Sequence, residues 1–271
     1  MHGMGFRLLR FLPALTCLAA IPLLQAQFDA FEVATIKPAA PQDERAGRYL
    51  RMQSAHVFQA KNYTVHGMIA AAYDVNPRAI SGGPGWVGSQ PWEILARTPG
   101  EKRPTWDDQM AMLRNLLAER FNLSFHREKK QFNIYDLTVS KEGSKLKTTE
   151  APPDEAPNMT STVYPAASGG IDRVVLPAHN ITIAQFAGLL NRAILDRPVV
   201  DHTGLAGRYD FELEWTPDET QFGGQLPPGP PDTPQPGLFL AMQQKLGLRI
   251  EATRGAVDAI VIDRIERPTD N

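Results

Sequence analysis

The sequence contains a single cysteine, Cys17, among 271 residues. A disulfide framework needs pairs of cysteines, and a CxxC redox site or a cysteine-rich zinc site needs at least two, so all three classes are excluded. The formal net charge is only −2, so the chain also lacks the basic field with which proteins bind nucleic acids or anionic membranes. Hydrophobic residues make up 42% and charged residues 21%, which is typical of a globular protein and too apolar for a disordered one.

The one extended apolar stretch lies at the N-terminus, where two arginines precede an apolar run over residues 11–24 and the small residue Ala26 follows. The run is shorter than the ~20 residues that a membrane-spanning helix needs. This pattern predicts a signal peptide over residues 1–26, cleaved near Ala26. Cleavage would remove Cys17 and leave a periplasmic or secreted protein with no stable membrane span. Retention of the segment as an N-terminal anchor is the alternative.

Motifs that carry known chemistries are missing from the rest of the sequence. The histidines show no HExxH or His-x-His spacing for zinc, and no G-x-S-x-G sequence could form the nucleophile elbow of a serine hydrolase. No P-loop or dinucleotide fingerprint follows a predicted strand. The sequence therefore predicts no metal and no cofactor, assigns no catalytic residue, and favours a protein that is not an enzyme.

Two parts of the chain resemble each other. Residues 56–65 match residues 174–183 at a shift of 118, with an Asn-x-Thr sequence in each. Residues 117–137 match residues 242–262 at a shift of 125, with apolar positions kept in register. Matches that recur in the same order with small changes of shift predict an internal duplication, and hence two tandem homologous units.

Each unit repeats the same order of elements. An alternating strand leads to a helix that is capped by the threonine of the Asn-x-Thr sequence, Thr64 or Thr182. A glycine-rich turn, a strand, a second helix and a closing hairpin follow. This order predicts an α+β fold of two tandem homologous units, each of mostly antiparallel strands packed with two helices. The predicted helices cover residues 65–74, 106–120, 183–194 and 237–246.

The closing hairpin of each unit is predicted to be local. In the first unit, the strands on the two sides of Lys129 and Lys130 are expected to pair with each other. In the second unit, the strands on the two sides of Arg254 and Gly255 are expected to do the same.

Composition sets the predicted boundaries. After the signal peptide we expect a first α+β unit at residues 27–141, a flexible linker at 142–170 and a second α+β unit at 171–271. The linker is poor in apolar residues, and residues 217–237 contain seven prolines. Both stretches are therefore predicted to be mobile surface segments without a role in the core.

Several motifs along the chain together resemble those of one known family. They are Phe31-Glu-Val-Ala-Thr-Ile-Lys-Pro38, Ile80-Ser-Gly-Gly-Pro-Gly-Trp86, Leu116-Leu-Ala-Glu-Arg-Phe121, Pro198-Val-Val-Asp-His-Thr-Gly-Leu205, Gly207-Arg-Tyr-Asp-Phe211 and Leu246-Gly-Leu248. On these motifs the chain is similar to an exported, soil-associated family of unknown function that is expanded in Acidobacteria, the domain of unknown function 3738. This resemblance implies no established catalytic activity. Related domains are fused to membrane-embedded metallopeptidases that look like beta-lactam sensor-transducers, which implies an extracytoplasmic sensing or binding role.

Two glycine-containing loops carry the candidate binding residues. One loop spans residues 82–92 and the other residues 201–209, and both place aromatic side chains beside tight turns. An exposed aromatic side chain on a stiff loop suits an anchor for a protein or glycan of the cell envelope. We therefore predict a non-catalytic envelope or extracellular binding or sensing module. The candidate binding residues are Trp86, Trp92, Asp201, His202, Arg208 and Tyr209.

Two alternatives remain open for these loops. In a structural interpretation, Trp86 and Leu205 fill the cores beneath the turns, Asp201 bonds nearby backbone amides, and Gly204 takes a left-handed conformation. In a catalytic interpretation, the protein is an extracytoplasmic hydrolase with a site between the two units that uses Asp201 and His202.

Overall fold

The computed structural model of the protein describes residues 28–40, 47–152, 155–230 and 235–269. The predicted signal peptide, residues 1–26, lies outside the described residues. Within the described ranges, no helix combines the length and the apolar character needed to cross a bilayer.

The described residues form helices and strands in alternation. The strands are β1 (Val33–Pro38), β2 (Tyr49–Met52), β3 (Val57–Thr64), β4 (Ile80–Gly82), β5 (Pro91–Arg97), β6 (Ser124–Val139), β7 (Lys147–Thr148), β8 (Asn158–Met159), β9 (Thr162–Pro165), β10 (Ile171–Thr182), β11 (Val199–Asp201), β12 (Arg208–Trp215) and β13 (Leu248–Arg264). The helices are α1 (Val65–Tyr73), α2 (Trp86–Ser89), α3 (Trp106–Arg120), α4 (Ile183–Leu189) and α5 (Leu238–Ala241). π-Helical turns continue α4 over Leu190–Ile194 and α5 over Met242–Leu246.

Two antiparallel sheets form the two halves of the fold. The first has the order β1-β5-β3-β2, and the second has the order β7-β12-β10-β8 with β9 also paired to β10. Successive residues of a strand point to opposite faces, so Phe58 and Ala60 of β3 are buried while Val57 and Gln59 are partly exposed. The predicted class is confirmed, because the fold mixes helices with mostly antiparallel strands.

The starts of α1 and α4 are those expected from the sequence. The Thr64 side chain accepts a backbone hydrogen bond in the first turn of α1, and Thr182 does the same in α4. Two residues before each threonine, Asn62 and Asn180 have φ angles of 53° and 54° at the positions where the pairing of the preceding strand shifts. Asparagine tolerates this left-handed conformation better than most residues. The Asn-x-Thr sequence thus combines a β-bulge with a helix cap.

A third sheet joins the two halves. β6 and β13 pair antiparallel along almost their whole length, from Leu248 opposite Val139 to Arg264 opposite Ser124. The short β11 extends this sheet beside β6, and β4 extends it beside β13, both in parallel. We call the β6–β13 pair the ribbon.

The prediction of two local hairpins is wrong. Lys129 and Lys130 continue β6, and Arg254 and Gly255 continue β13. A two-residue hairpin turn needs positive φ angles, which lysine disfavours and Gly255 does not adopt. The glycine has another role, because a Cβ atom at position 255 would lie 2.5 Å from Cδ1 of Ile134 on the neighbouring strand.

Each of the two hydrophobic cores takes side chains from both halves of the chain. The first core, under β1–β5, includes Ile260, Ile262 and Ile265 from the end of the chain. The second core, under β10 and β12, includes Tyr135 and Leu137 from β6. Each core is therefore completed by a strand of the other half.

The two segments expected to lack structure contain ordered contacts with the second half. β7, β8 and β9 lie within residues 142–170 and pair with β12 and β10. Phe222 of the Pro-rich loop stacks on Trp215 with the ring centroids 6.4 Å apart. A few apolar side chains attach these segments to the second core. The average composition of the segments does not reveal such isolated side chains. Those packed against the second core are Leu146, Met159, Val163, Phe222 and Leu226.

Candidate functional site

Trp86 and Trp92 lie against the first core. Trp92 is 3% exposed, and its ring meets that of Trp86 edge-on with centroids 6.2 Å apart. Trp86 is partly buried, and the guanidinium of Arg267 lies 5.2 Å from its ring centroid. The C-terminal segment thus covers part of Trp86, which leaves little of either ring to bind a partner.

The turn at residues 201–209 has the hydrogen bonds and backbone conformation expected if its residues serve a structural role. Oδ1 of Asp201 accepts a hydrogen bond of 2.9 Å from the backbone N–H of Thr203, and Gly204 has a φ angle of 67°. Leu205 packs against the second core, and Tyr209 is buried within it. The carboxylate of Asp201 therefore stabilises its own turn.

His202 and Arg208 remain at the surface, where each has a structural partner. Nδ1 of His202 lies 2.7 Å from Oδ1 of Asp136 on β6. Nη1 of Arg208 donates a 2.9 Å hydrogen bond to the backbone oxygen of Asn180 at the β10 bulge. Both contacts tie the turn to neighbouring strands.

The two candidate loops lie at opposite ends of the ribbon. Gly82 in β4 is opposite Ile262, which pairs with Phe125, whereas Asp201 in β11 is opposite Leu137. Phe125 and Leu137 are twelve residues apart on β6, or about 40 Å along the strand at ~3.3 Å per residue. The six candidate residues therefore do not form one cleft.

A concave surface lies instead near the middle of the ribbon. It is a shallow cavity of about 500 Å³ that is wide open to solvent. Arg197 comes from the segment before β11, and the other lining residues come from the ribbon itself. The lining residues are Asn133, Arg197, Ala252, Thr253 and Arg254.

The lining of this cavity carries two positive charges and no negative one. Arg254 stands opposite the neutral Asn133 in the ribbon and forms no ion pair with any residue that the structure describes. At a shift of 125 the corresponding ribbon pair is Lys129 opposite Asp258, where the residue facing the cation is acidic. The two positions on either side of the ribbon centre thus share the same strand pairing and differ in charge.

Contacts outside the cavity hold Arg197 in place. Its guanidinium lies 5.2 Å from the ring centroid of Tyr135, and its Nε lies 3.8 Å from Oδ2 of Asp196. The same Asp196 oxygen is closer to Arg78, at 3.1 Å, so Asp196 serves two arginines. Burial, followed by the charge of Asp196, raises the pKa of Tyr135, with a smaller contribution from Asp218.

Comparison with known proteins gives one match. A family model described as "Protein of unknown function (DUF3738)" matches residues 66–265, which include β5 of the first sheet, the whole second sheet and the whole ribbon. The chain belongs to this family. No curated protein and no solved structure matches the chain.

This DUF3738 chain also contains a cluster in which one histidine bridges two carboxylates. Nε2 of His179 lies 2.8 Å from Glu155, and Nδ1 lies 3.0 Å from Asp210. The hydrogen bond to Glu155, aided by the charge of Asp210, raises the pKa of His179. Burial acts to raise the pKa of Asp210, but hydrogen bonds from Asn180 and Thr149 and the charge of His179 lower it overall. A histidine whose two ring nitrogens both contact carboxylates is suited to joining strands, because neither nitrogen is left free to act on a substrate.

Metal-binding geometry is absent from the part of the chain that the structure describes. No three side chains among the described His, Cys, Asp and Glu residues are placed to hold an ion together. The histidines that have carboxylate partners are each paired at separate places in the fold. They are His126 with Asp263, His179 with Glu155 and Asp210, and His202 with Asp136.

Sequence reasoning missed the cavity because its residues come from distant parts of the chain. Asn133 and Arg254 are 121 positions apart, and the second was placed in a predicted hairpin turn. One local signal was present. Neither Lys129-Lys130 nor the neighbouring residues contain the Asn-Gly or Asp-Gly sequences that favour a tight hairpin, which points to a continuous strand.

Proposed function

We propose that this protein is an exported, non-catalytic binding module and that its ligand binds in the cavity at the middle of the ribbon. The observation that carries the proposal is a cavity whose two arginines, Arg197 and Arg254, have no carboxylate in the lining. A guanidinium with no carboxylate in the same lining can donate charge-assisted hydrogen bonds to a ligand.

The symmetry of the ribbon supports an origin of the two halves from one repeated unit. We propose that residues 27–141 and 171–271 arose by duplication. Gln131 and Ala256, which correspond at a shift of 125, are directly opposite each other at the centre of the ribbon. The remaining pairs are arranged symmetrically about this point, as a two-fold relation between the units requires. Asn133 stands at the position that corresponds to Asp258. Because Asn133 is neutral, the positive charge of Arg254 has no acidic residue opposite it in the ribbon.

Export is supported by the basic and apolar pattern of residues 1–26. In that setting the ligand would be a component of the periplasm, the cell envelope or the surroundings of the cell. A sensing role would follow if a partner in the envelope recognises the ligand-bound form.

The hydrolase alternative receives less support from the same geometry. Oδ1 of Asp201 is engaged by both the N–H and the hydroxyl of Thr203, at 2.9 and 2.7 Å. His202 pairs with Asp136 on an exposed surface, and neither residue lines the cavity. A general base needs a nucleophile or a water held within hydrogen-bond reach, and a cavity would be needed to hold the substrate there.

Filling the cavity should abolish ligand binding. Ala252→Trp places an indole in the space that Ala252 borders, whereas Ala256→Trp adds the same group on the same face of β13 outside the lining. We expect compounds in a library of peptides, saccharides and organic acids to raise the melting temperature of the unmodified protein and of Ala256→Trp. The same compounds should leave Ala252→Trp unchanged.

Thermal-shift measurements on all three proteins provide this test. Ala252 and Ala256 are both exposed, so the two variants should have similar melting temperatures without ligand. Equal ligand responses in the two tryptophan variants, or no response from the unmodified protein to any class of compound, would contradict the proposed function.

A further inference from the structure

We infer that the ligand of the ribbon cavity is a small anion with two negative groups, held between Arg197 and Arg254. The inference rests on the proposed function, since it assigns a chemical class to the ligand of the same cavity. The shared chemistry is an oxyanion that accepts several hydrogen bonds, which either carboxylates or phosphates can supply.

The two arginines approach the cavity from different elements. Arg254 extends from β13 beside Asn133, whereas Arg197 belongs to the segment that leads into β11. A guanidinium presents its N–H donors in a planar fork that matches the spacing of carboxylate and phosphate oxygens. Two such groups in one lining suit a ligand with two anionic ends better than a single charge.

A neutral donor completes the lining. The Asn133 amide can donate a hydrogen bond where the corresponding position, at a shift of 125, has the acidic Asp258. Replacing a carboxylate by an amide opposite a cation removes the internal counter-charge and adds a donor. Both changes favour an external anion.

The nearby acidic groups bind other side chains, and no carboxylate in the part of the chain that the structure describes pairs with Arg254. Asp196 is shared between Arg78 and Arg197, and Oδ1 of Asp196 accepts a hydrogen bond from the hydroxyl of Tyr135. Asp218 accepts from Thr220 and Gln221. Neither carboxylate lines the cavity. Arg197 stacks on Tyr135, so its side chain is already held in place. Anion binding therefore costs less side-chain entropy than it would with a freely rotating arginine.

Two probes and one neutral compound test the inference. Citrate supplies carboxylates, pyrophosphate supplies phosphates, and glucose carries no charge. NMR titration of the protein from residue 27 onward, at low ionic strength, should show saturable shifts at the backbone amides of residues 252–254 with at least one anion and none with glucose. Higher salt should weaken the interaction, because ions screen exposed charges.

Charge-neutral variants locate the site. Arg254→Gln should weaken the binding of the anion about tenfold, as expected for losing a charge-assisted hydrogen bond. Lys129→Gln removes the same charge at the corresponding ribbon position and should change the affinity less than twofold. Arg197→Gln serves as a second variant at the site itself, and unchanged amide spectra away from the substitution show that each variant is folded.

The pattern of results separates the inference from the function on which it rests. Binding of citrate alone, of pyrophosphate alone, or of both, with loss in Arg254→Gln and retention in Lys129→Gln, supports the inference and identifies the group recognised. Absence of anion binding, or equal weakening by both variants, overturns it. If neutral compounds then bind the unmodified protein and fail to bind Ala252→Trp, the proposed function stands without the anion.

Discussion

Residues 28–141, produced without the rest of the chain, are expected to be unfolded. This fragment contains all of the first sheet and the whole of β6, but lacks β13 and the three buried isoleucines, Ile260, Ile262 and Ile265, that complete its core. Full burial of one such side chain contributes ~1.5–3 kcal/mol, and a domain is stable by only ~5–15 kcal/mol. Circular dichroism and a two-dimensional amide spectrum should show an unfolded chain.

Adding residues 142–269 should restore the folded spectrum, because the added fragment supplies the missing strand. A matched control is the chain 28–269 cut after folding at a protease site inserted near residue 153, which should remain folded because no strand is broken. A cooperative unfolding transition for residues 28–141 alone would show that the first half closes its own core, as the local-hairpin prediction requires.

Trp215→Ala should reduce the free energy of unfolding by about 3–5 kcal/mol, the usual range for removing a large aromatic side chain from a core. Trp215 is fully buried, and its Nε1 donates a 2.8 Å hydrogen bond to Oε1 of Gln221. Gln221 is itself 1% exposed, so the variant also leaves a buried acceptor without its donor. Urea denaturation followed by circular dichroism measures the change.

Trp106→Ala is the matched control. Trp106 is 37% exposed, and its ring is contacted by the guanidinium of Arg192 at 5.0 Å. Losing an exposed cation–π contact costs about 0.5–1 kcal/mol. A similar loss in both variants would contradict the central position assigned to Trp215 in the second core.

Local features of the fold could be predicted from the sequence, because each depends on neighbouring residues. Thr64 and Thr182 cap helices through hydrogen bonds that span three residues, and the strand-then-helix order around them follows from hydrophobic periodicity. Trp92 and Tyr209, which the sequence places beside glycine-containing turns, are 3% and 9% exposed, and this burial decides against an exposed anchor.

The ribbon could not be predicted in the same way. Each of its pairs joins residues that are more than 100 positions apart, and an alternating strand pairs equally well with a neighbour in sequence or with a distant one. Residues 117–137 and 242–262 have similar apolar patterns, which makes this ambiguity worse. The cavity depends on that pairing, so Arg254 could not be assigned to it before the partner of β13 was known.

The pairing of β6 with β13 is tested most directly by forming a disulfide across the centre of the ribbon. Gln131 and Ala256 are opposite each other and both exposed, so Gln131→Cys with Ala256→Cys, in a chain that also carries Cys17→Ser, should form an intramolecular disulfide on mild oxidation. Gln131→Cys with Ala252→Cys should not, because Ala252 lies four residues further along β13, about 13 Å away. Mass spectrometry of the digested protein identifies the linked peptides. A disulfide in the first pair and free thiols in the second are predicted. Free thiols in both pairs would contradict the pairing of β6 with β13 and the cavity that this pairing forms.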